Sequence, residues 1–246
     1  MHYLGGKNRT CRFIAPIIQK ALQKYPNSTS MYLEPFCGAC NVLAKVRAQI
    51  RLASDIHEDL ILMWQALQHG NLSMPQCISH EMYKSFMKQP PSALRGFVGF
   101  ACGYGGQFYG TFARNKRGQN ALNSSRDYLH RARSSVLDKV PHLIGVSFHH
   151  CDYKQWFPQN MVIYCDPPYE NTAGYEETPD FDHKEFWDVM RAWSRNNTVF
   201  ISEQNAPPDF TTVWQMSIRR IVASKVSTRA FVTEKLFQYK QSGVSN

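Results

Sequence analysis

The sequence predicts an α/β fold with an open, largely parallel sheet, on three observations. Short apolar runs recur along the chain, and the most distinct of them stop at an acid followed by loop residues. Segments with apolar residues at helical spacing separate these runs, the alternation expected of strands joined by crossover helices. Between residues 71 and 145 the strand pattern vanishes, which marks a helical insertion. A length of 246 residues suits one such domain with an insertion, or two small domains.

In order along the chain, Gly5-Gly6-Lys7 is a backbone able to approach a ligand closely, followed by a cation. It lacks the length and the Ser/Thr of a phosphate-binding P-loop. Residues 12–24 carry apolar positions at helical spacing, with Pro16 near the helix start, where proline is tolerated. Met31-Tyr32-Leu33 reads as a short strand that runs into Glu34-Pro35-Phe36-Cys37-Gly38-Ala39-Cys40. Such a small-residue loop opening into a helix can lay backbone N–H groups against a cofactor. The spacing is not G-x-G-x-x-G, which weakens a dinucleotide reading. Arg51 to Ser54 is a second strand ending in Asp55. An acid there either binds ribose hydroxyls or caps the next helix. Residues 56–70 form an amphipathic helix with Leu60, Ile61, Met63, Trp64 and Leu67 directed to the core.

The insertion contains the most basic and aromatic loop of the chain, Gly103 to Asn120. Tyr104, Gln107, Phe108, Tyr109, Arg114, Asn115, Lys116 and Arg117 lie within it, and Arg126 follows. Rings, amides and guanidiniums interleaved in this way suit wedging into a duplex, contacting phosphates and reading base edges; the alternative is a loop with incidental charge. Residues 145–150 form a further strand on which His149 and His150 point to opposite faces, a poor metal pair. Phe181 to Ser194 is a helix and Thr198 to Ser202 a buried strand. Ser217–Val222 and Glu234–Tyr239 read as a closing antiparallel pair around the basic segment Lys225–Arg229.

The central strand, Met161 to Cys165, is followed at once by Asp166-Pro167-Pro168-Tyr169. Proline removes a ladder donor, so the strand must end there, and ligands of open α/β sheets bind just beyond such strand ends. An exocyclic amine on a purine or pyrimidine is a poor nucleophile because its lone pair is delocalised. A carboxylate accepting one N–H and a stiff backbone carbonyl accepting the other would aim that lone pair at an electrophile. Tyr169 could stack on the flat base, an interaction worth roughly 1–3 kcal/mol. The same four residues would also make an ordinary turn.

Lys and Arg number 28 against 19 Asp and Glu, a formal charge of +9, which favours a polyanionic partner, nucleic acid above all. Seven scattered cysteines argue for a reduced protein without structural zinc. No apolar run approaches 18 residues and no signal peptide stands at the amino terminus, so the expectation is a soluble, cytoplasmic protein.

Taken together, these stretches resemble the Dam-like (D12 class) DNA adenine-N6 methyltransferases, especially phage-borne members. Tyr3-Leu4-Gly5-Gly6-Lys7 is similar to the family's amino-terminal cofactor segment, with Leu4 where a small residue is usual. Glu34-Pro35-Phe36-Cys37-Gly38-Ala39 resembles its loop for S-adenosylmethionine. Ser54-Asp55-Ile56-His57 resembles the segment whose acid binds the adenosine hydroxyls, with His57 where Asn is frequent. Asp166-Pro167-Pro168-Tyr169 is the family's catalytic tetrapeptide unaltered, and the motifs keep the family's order. The resemblance implies a Rossmann-like class I methyltransferase with a mainly helical target-recognition insert. Residues 1–60 and 146–246 would form the catalytic domain and 61–145 the insert. It implies catalysis by Asp166, Pro167, Pro168 and Tyr169. Tyr3, Gly5, Gly6, Lys7, Glu34 to Ala39, Asp55, Ile56 and Asp166 would hold S-adenosylmethionine, and the partner would be double-stranded DNA. No metal or membrane is implied, and the expected state is a monomer or weak dimer, working in the bacterial host cytoplasm if phage-encoded. Rival readings are N4-cytosine methylation, an RNA substrate, a catalytically inactive DNA-binding module and a nicotinamide-dependent enzyme.

Overall fold

The computed structural model describes residue 3 and residues 5–113, 128–170, 181–221 and 229–240. Five parallel strands build the centre: β1 (Met31–Glu34), β2 (Ile50–Asp55), β3 (Val146–His150), β4 (Val162–Cys165) and β5 (Thr198–Glu203). An antiparallel hairpin, β6 (Phe210–Ile221) and β7 (Arg229–Tyr239), completes the sheet. The order is β3-β2-β1-β4-β5-β7-β6. The chain thus winds outward from β1 through β2 to β3, then returns to place β4 on the other side of β1. That reversal opens a crevice beyond the carboxyl ends of β1 and β4, where Glu34 and Asp166 stand.

Local sequence explains the elements. Every residue of β4 is buried, as a central parallel strand covered on both faces requires. Helix α1 (Cys11–Leu22) turns Ile14, Ala15, Ile18, Ala21 and Leu22 inward, with Pro16 in its first turns. Helix α2 (Glu58–Gln68) buries Leu60, Ile61, Met63, Trp64 and Leu67. Helix α7 (His183–Trp193) starts where the Asp182 carboxylate accepts the Glu185 N–H at 2.8 Å, and buries Phe186, Trp187, Met190 and Trp193.

Helices α3 (His80–Met87), α4 (Ala93–Cys102), α5 (Tyr128–Leu137) and α6 (Val140–Leu143) make up the described part of the insertion. The expected boundary after residue 60 falls within α2, which packs both on α4 of the insertion and on the sheet. The side-chain amides of Gln65 and Gln68 donate to the Phe148 and Val146 carbonyls of β3, both at 2.9 Å. The insertion then docks on α2 through Asp59, which accepts the Ser92 N–H at 2.8 Å and pairs with Arg95. Helix α4 crosses so closely that a Cβ on Gly96 would lie 2.3 Å from the Asp59 carbonyl oxygen. The closing strands are longer than the sequence suggested. Residues 210–216 carry a polar, partly exposed alternation on an edge strand, a weak signal beside the apolar central runs.

Candidate active site

The loop after β1 and the end of β2 form one half of the site. The Cys37 N–H donates to the Ser54 carbonyl at 2.9 Å, which ties the loop across to β2. The Gly38 N–H donates to Asp55 Oδ2 at 2.9 Å, and the His57 N–H to Asp55 Oδ1 at 3.1 Å. Asp55 therefore sets the loop and caps the start of the next segment at once. Gly38 lies at φ +44, and a Cβ there would meet the Tyr3 ring at 3.0 Å, so a small residue is needed. Two groups hold the loop's carbonyls: Trp64 Nε1 donates to Gly38 at 2.9 Å, and Lys139, just ahead of α6, donates to Ala39 at 2.6 Å. Phe36 packs against Tyr153, Phe181 and Phe186, while Ile56 stays 54 % exposed at the rim.

The other half gathers around Asp166. Lys7 arrives from the amino-terminal Gly-Gly turn, almost fully buried, and donates to Asp166 Oδ1 at 2.7 Å and to Glu234 Oε1 at 3.1 Å. Its ammonium lies 4.5 Å from the centre of the Tyr169 ring, and the Tyr169 hydroxyl donates to the same Glu234 oxygen. Glu203, at the end of β5, accepts the N–H groups of Gln204 at 2.7 Å and Glu170 at 3.3 Å, so it steadies the turn after Tyr169. Glu34 is buried and accepts the Tyr32 hydroxyl at 2.6 Å. Pro167 is buried behind the turn and Pro168 half-buried.

Two carboxylates, Asp166 and Glu234, therefore share one ammonium, and Asp166 and the nearby carboxyls of Glu34 and Glu203 have shifted acidities. Burial lifts Glu34 to about 8, with the Tyr32 hydroxyl opposing and Asp166 adding to the rise. Burial likewise lifts Glu203 to about 7 and Asp166 to about 6; Lys7 opposes the second shift and Glu234 reinforces it. Burial alone would lower the Lys7 pKa, but the two carboxylates outweigh it and keep the ammonium charged. These raised carboxyl values fix a sign. Each group stabilises the fold fully below the ordinary carboxylate range, and that contribution is lost as pH rises through the raised value. The melting temperature should fall between pH 5 and 8.5. Glu34→Gln keeps an acceptor for Tyr32 without titrating, so it should remove about 2 kcal/mol of that loss, or roughly 4–8 °C for a chain of this size. Parallel wild-type and Glu34→Gln melting curves across that range would show the Glu34 assignment to be wrong.

The structure brings Tyr3, Gly5, Gly6, Lys7, residues 34–39, Asp55 and Asp166–Tyr169 to one end of the sheet. Of the residues expected to face DNA, Tyr104 is 63 % exposed and Gln107 is exposed. Phe108 is half-buried, edge-on to His57 at 4.2 Å, and Tyr109 is buried with its hydroxyl donating to the Arg95 carbonyl at 3.1 Å. Tyr109 therefore serves the insertion's packing rather than its surface. Arg114, Asn115, Lys116, Arg117 and Arg126 lie outside the described residues. His149 packs edge-on to Trp156 and His150 pairs with the Ile56 carbonyl, consistent with opposite faces of β3. Among the described residues, no cluster of three or more His, Cys, Asp or Glu is arranged to hold a metal ion, and no helix is long and apolar enough to cross a membrane. Glu203, Glu234 and Lys139 were not anticipated. Glu234 stands between Thr233 and Lys235 in an alternating strand pattern, which gave no signal of its burial.

Comparison with known proteins agrees with the motifs. Residues 3–98 match the family of D12 class N6 adenine-specific DNA methyltransferases. The type II methyltransferase M.FokI of Planomicrobium okeanokoites is 23 % identical over 202 residues, which cover 71 % of this chain and 29 % of that protein. Among solved structures, a protein described as an RNA methyltransferase from Pyrococcus horikoshii superposes with a TM-score of 0.41 at 8 % identity, covering 94 % of this chain and 84 % of the other. A precorrin-6y C5,15-methyltransferase from Geobacter metallireducens gives 0.39 at 7 % identity, covering 97 % and 94 %. Over residues 3–98 the chain is thus similar to the D12 class N6 adenine-specific DNA methyltransferases, and an unaltered Asp-Pro-Pro-Tyr follows beyond that stretch at the end of β4.

Proposed function

We propose that this protein transfers a methyl group from S-adenosylmethionine to N6 of an adenine flipped out of duplex DNA. The observation that carries the reading is that Asp166-Pro167-Pro168-Tyr169 follows the carboxyl end of β4, next to β1, whose own end leads into the Glu34–Ala39 loop. The residues present fit the cofactor. Gly38 presents bare backbone packed under the Tyr3 ring, Asp55 offers a carboxylate at the end of β2, and two carboxylates against one ammonium suit a cationic ligand. Tyr3, Gly5, Gly6, Lys7, Glu34 to Ala39, Asp55, Ile56 and Asp166 hold it in this proposal. When bound, S-adenosylmethionine supplies an electrophilic methyl group on a positively charged sulfur.

The rest is done by the chain. A stacked adenine cannot present its amine, so the nucleotide is turned out, at a cost of a few kcal/mol. Tyr169 takes the base on its ring, and its hydroxyl bond to Glu234 keeps that ring from turning. Asp166 accepts one amine hydrogen and the Pro167 carbonyl the other, which aims the nitrogen lone pair; Pro168 stiffens the turn. Tyr104 and Gln107 are exposed to meet DNA in this proposal, and Arg114, Asn115, Lys116, Arg117 and Arg126, outside the described residues, remain candidate contacts by their chemistry, helped by the net charge of +9. Such an enzyme works where DNA is, in the cytoplasm of a bacterial host.

The test is to incubate the protein with duplex DNA and isotopically labelled S-adenosylmethionine, digest to nucleosides and identify the labelled product. N6-methyladenine is expected. Label in N4-methylcytosine, or none in a cofactor-binding protein, would overturn the reading.

A further inference from the structure

Lys7 occupies the place the proposed reaction needs. Its three N–H donors go to Asp166 Oδ1 at 2.7 Å, Glu234 Oε1 at 3.1 Å and the Gly5 carbonyl at 3.3 Å, and its ammonium covers the Tyr169 ring. An adenine amine seeks that same Asp166 oxygen, and an adenine ring seeks Tyr169. The Lys7 backbone cannot withdraw freely, because its carbonyl accepts the Thr10 and Cys11 N–H groups at the start of α1. Only the side chain can yield.

Where it yields to is set by Glu234. This residue sits on β7 between β5 and β6, and is 1 % exposed. A carboxylate so buried is costly without a cationic partner. We propose that Glu234 is a positioning residue that receives Lys7 when the target amine takes Asp166, while holding the Tyr169 hydroxyl throughout. In the absence of DNA, Lys7 bridges both acids; with the base in place it pairs with Glu234 alone. The inference rests on the methyltransferase reading above.

Glu234→Gln tests it, because Gln keeps an acceptor for the Tyr169 hydroxyl and removes only the anion. Lys7 then has Asp166 as its one close carboxylate and competes with the substrate amine. The kcat should fall at least tenfold, with the S-adenosylmethionine dissociation constant within threefold of wild type. Asp166 is faced by Lys7, Glu234, Glu34, Glu203, Tyr164 and Tyr169. Loss of the Glu234 anion should therefore shift the acidic limb of kcat/KM to lower pH. At saturating cofactor, the double variant Lys7→Gln, Glu234→Gln should be faster than Glu234→Gln alone, a reversal that a structural role for Glu234 would not produce. Glu234→Asp retains the charge and gives an arm that tolerates poor folding of the Gln variant, with an intermediate kcat expected. Unchanged kcat in Glu234→Gln, a double variant slower than the single, or a Glu234→Asp kcat no higher than that of Glu234→Gln, overturns the inference. A wild-type protein that leaves adenine unmodified overturns instead the reading beneath it.

Discussion

Asp166→Ala should reduce methyl transfer to duplex DNA by at least about a thousandfold in single turnover at saturating DNA and cofactor. Removal of one preorganised group that acts on the reacting atoms costs on the order of 10²–10³ in rate. Here the loss is compounded, because in the proposed reaction the carboxylate that orients the amine is also the one that partners Lys7. The protein should remain folded, since Glu234 still compensates the Lys7 charge. Asp166→Asn is the stricter variant. It preserves shape but offers an amide where the amine hydrogen needs an anion, so a loss of about a hundredfold or more is expected. Either variant within tenfold of wild type would remove Asp166 from the reaction.

Asp55→Ala should weaken S-adenosylmethionine binding at least about thirtyfold by calorimetric titration and lower the melting temperature by several degrees. The carboxylate accepts two N–H groups, from Gly38 and His57, and each buried donor left unpaired costs about 1–3 kcal/mol. Affinity falls for two reasons: the proposed ribose acceptor is gone, and the Gly38 loop loses the anchor that shapes it. The two effects separate in the measurements, because melting without ligand reports the anchor and titration of folded protein reports both. Wild-type affinity in a folded Asp55→Ala protein would move the cofactor away from the end of β2.

The parts legible in the sequence were those whose meaning is local. Asp166 to Tyr169 declares itself because an apolar strand ends there against two prolines, and Glu34 to Ala39 because small residues follow a strand directly. The helices α1, α2 and α7 showed their periodicity, with ends shifting by about two residues. Glu234 stayed hidden because its importance comes from Lys7 and Tyr169, residues remote along the chain. Tyr109 was misplaced for a related reason: an aromatic in a basic loop looks like a DNA contact until Tyr83 and Phe108 pack around it. The hairpin was understated because an edge strand with a polar face carries little hydrophobic signal.

The pairing of Lys7 with Glu234 joins positions more than two hundred residues apart, across a strand inserted between two others. Such a closure must await the synthesis of β7, so the cluster around Lys7 should form later than the β1–β4 core. A ribosome-tethered chain lacking β7 would carry Asp-Pro-Pro-Tyr without the acid that steadies it. In the proposed reaction, competence would then arrive only once this hairpin has formed.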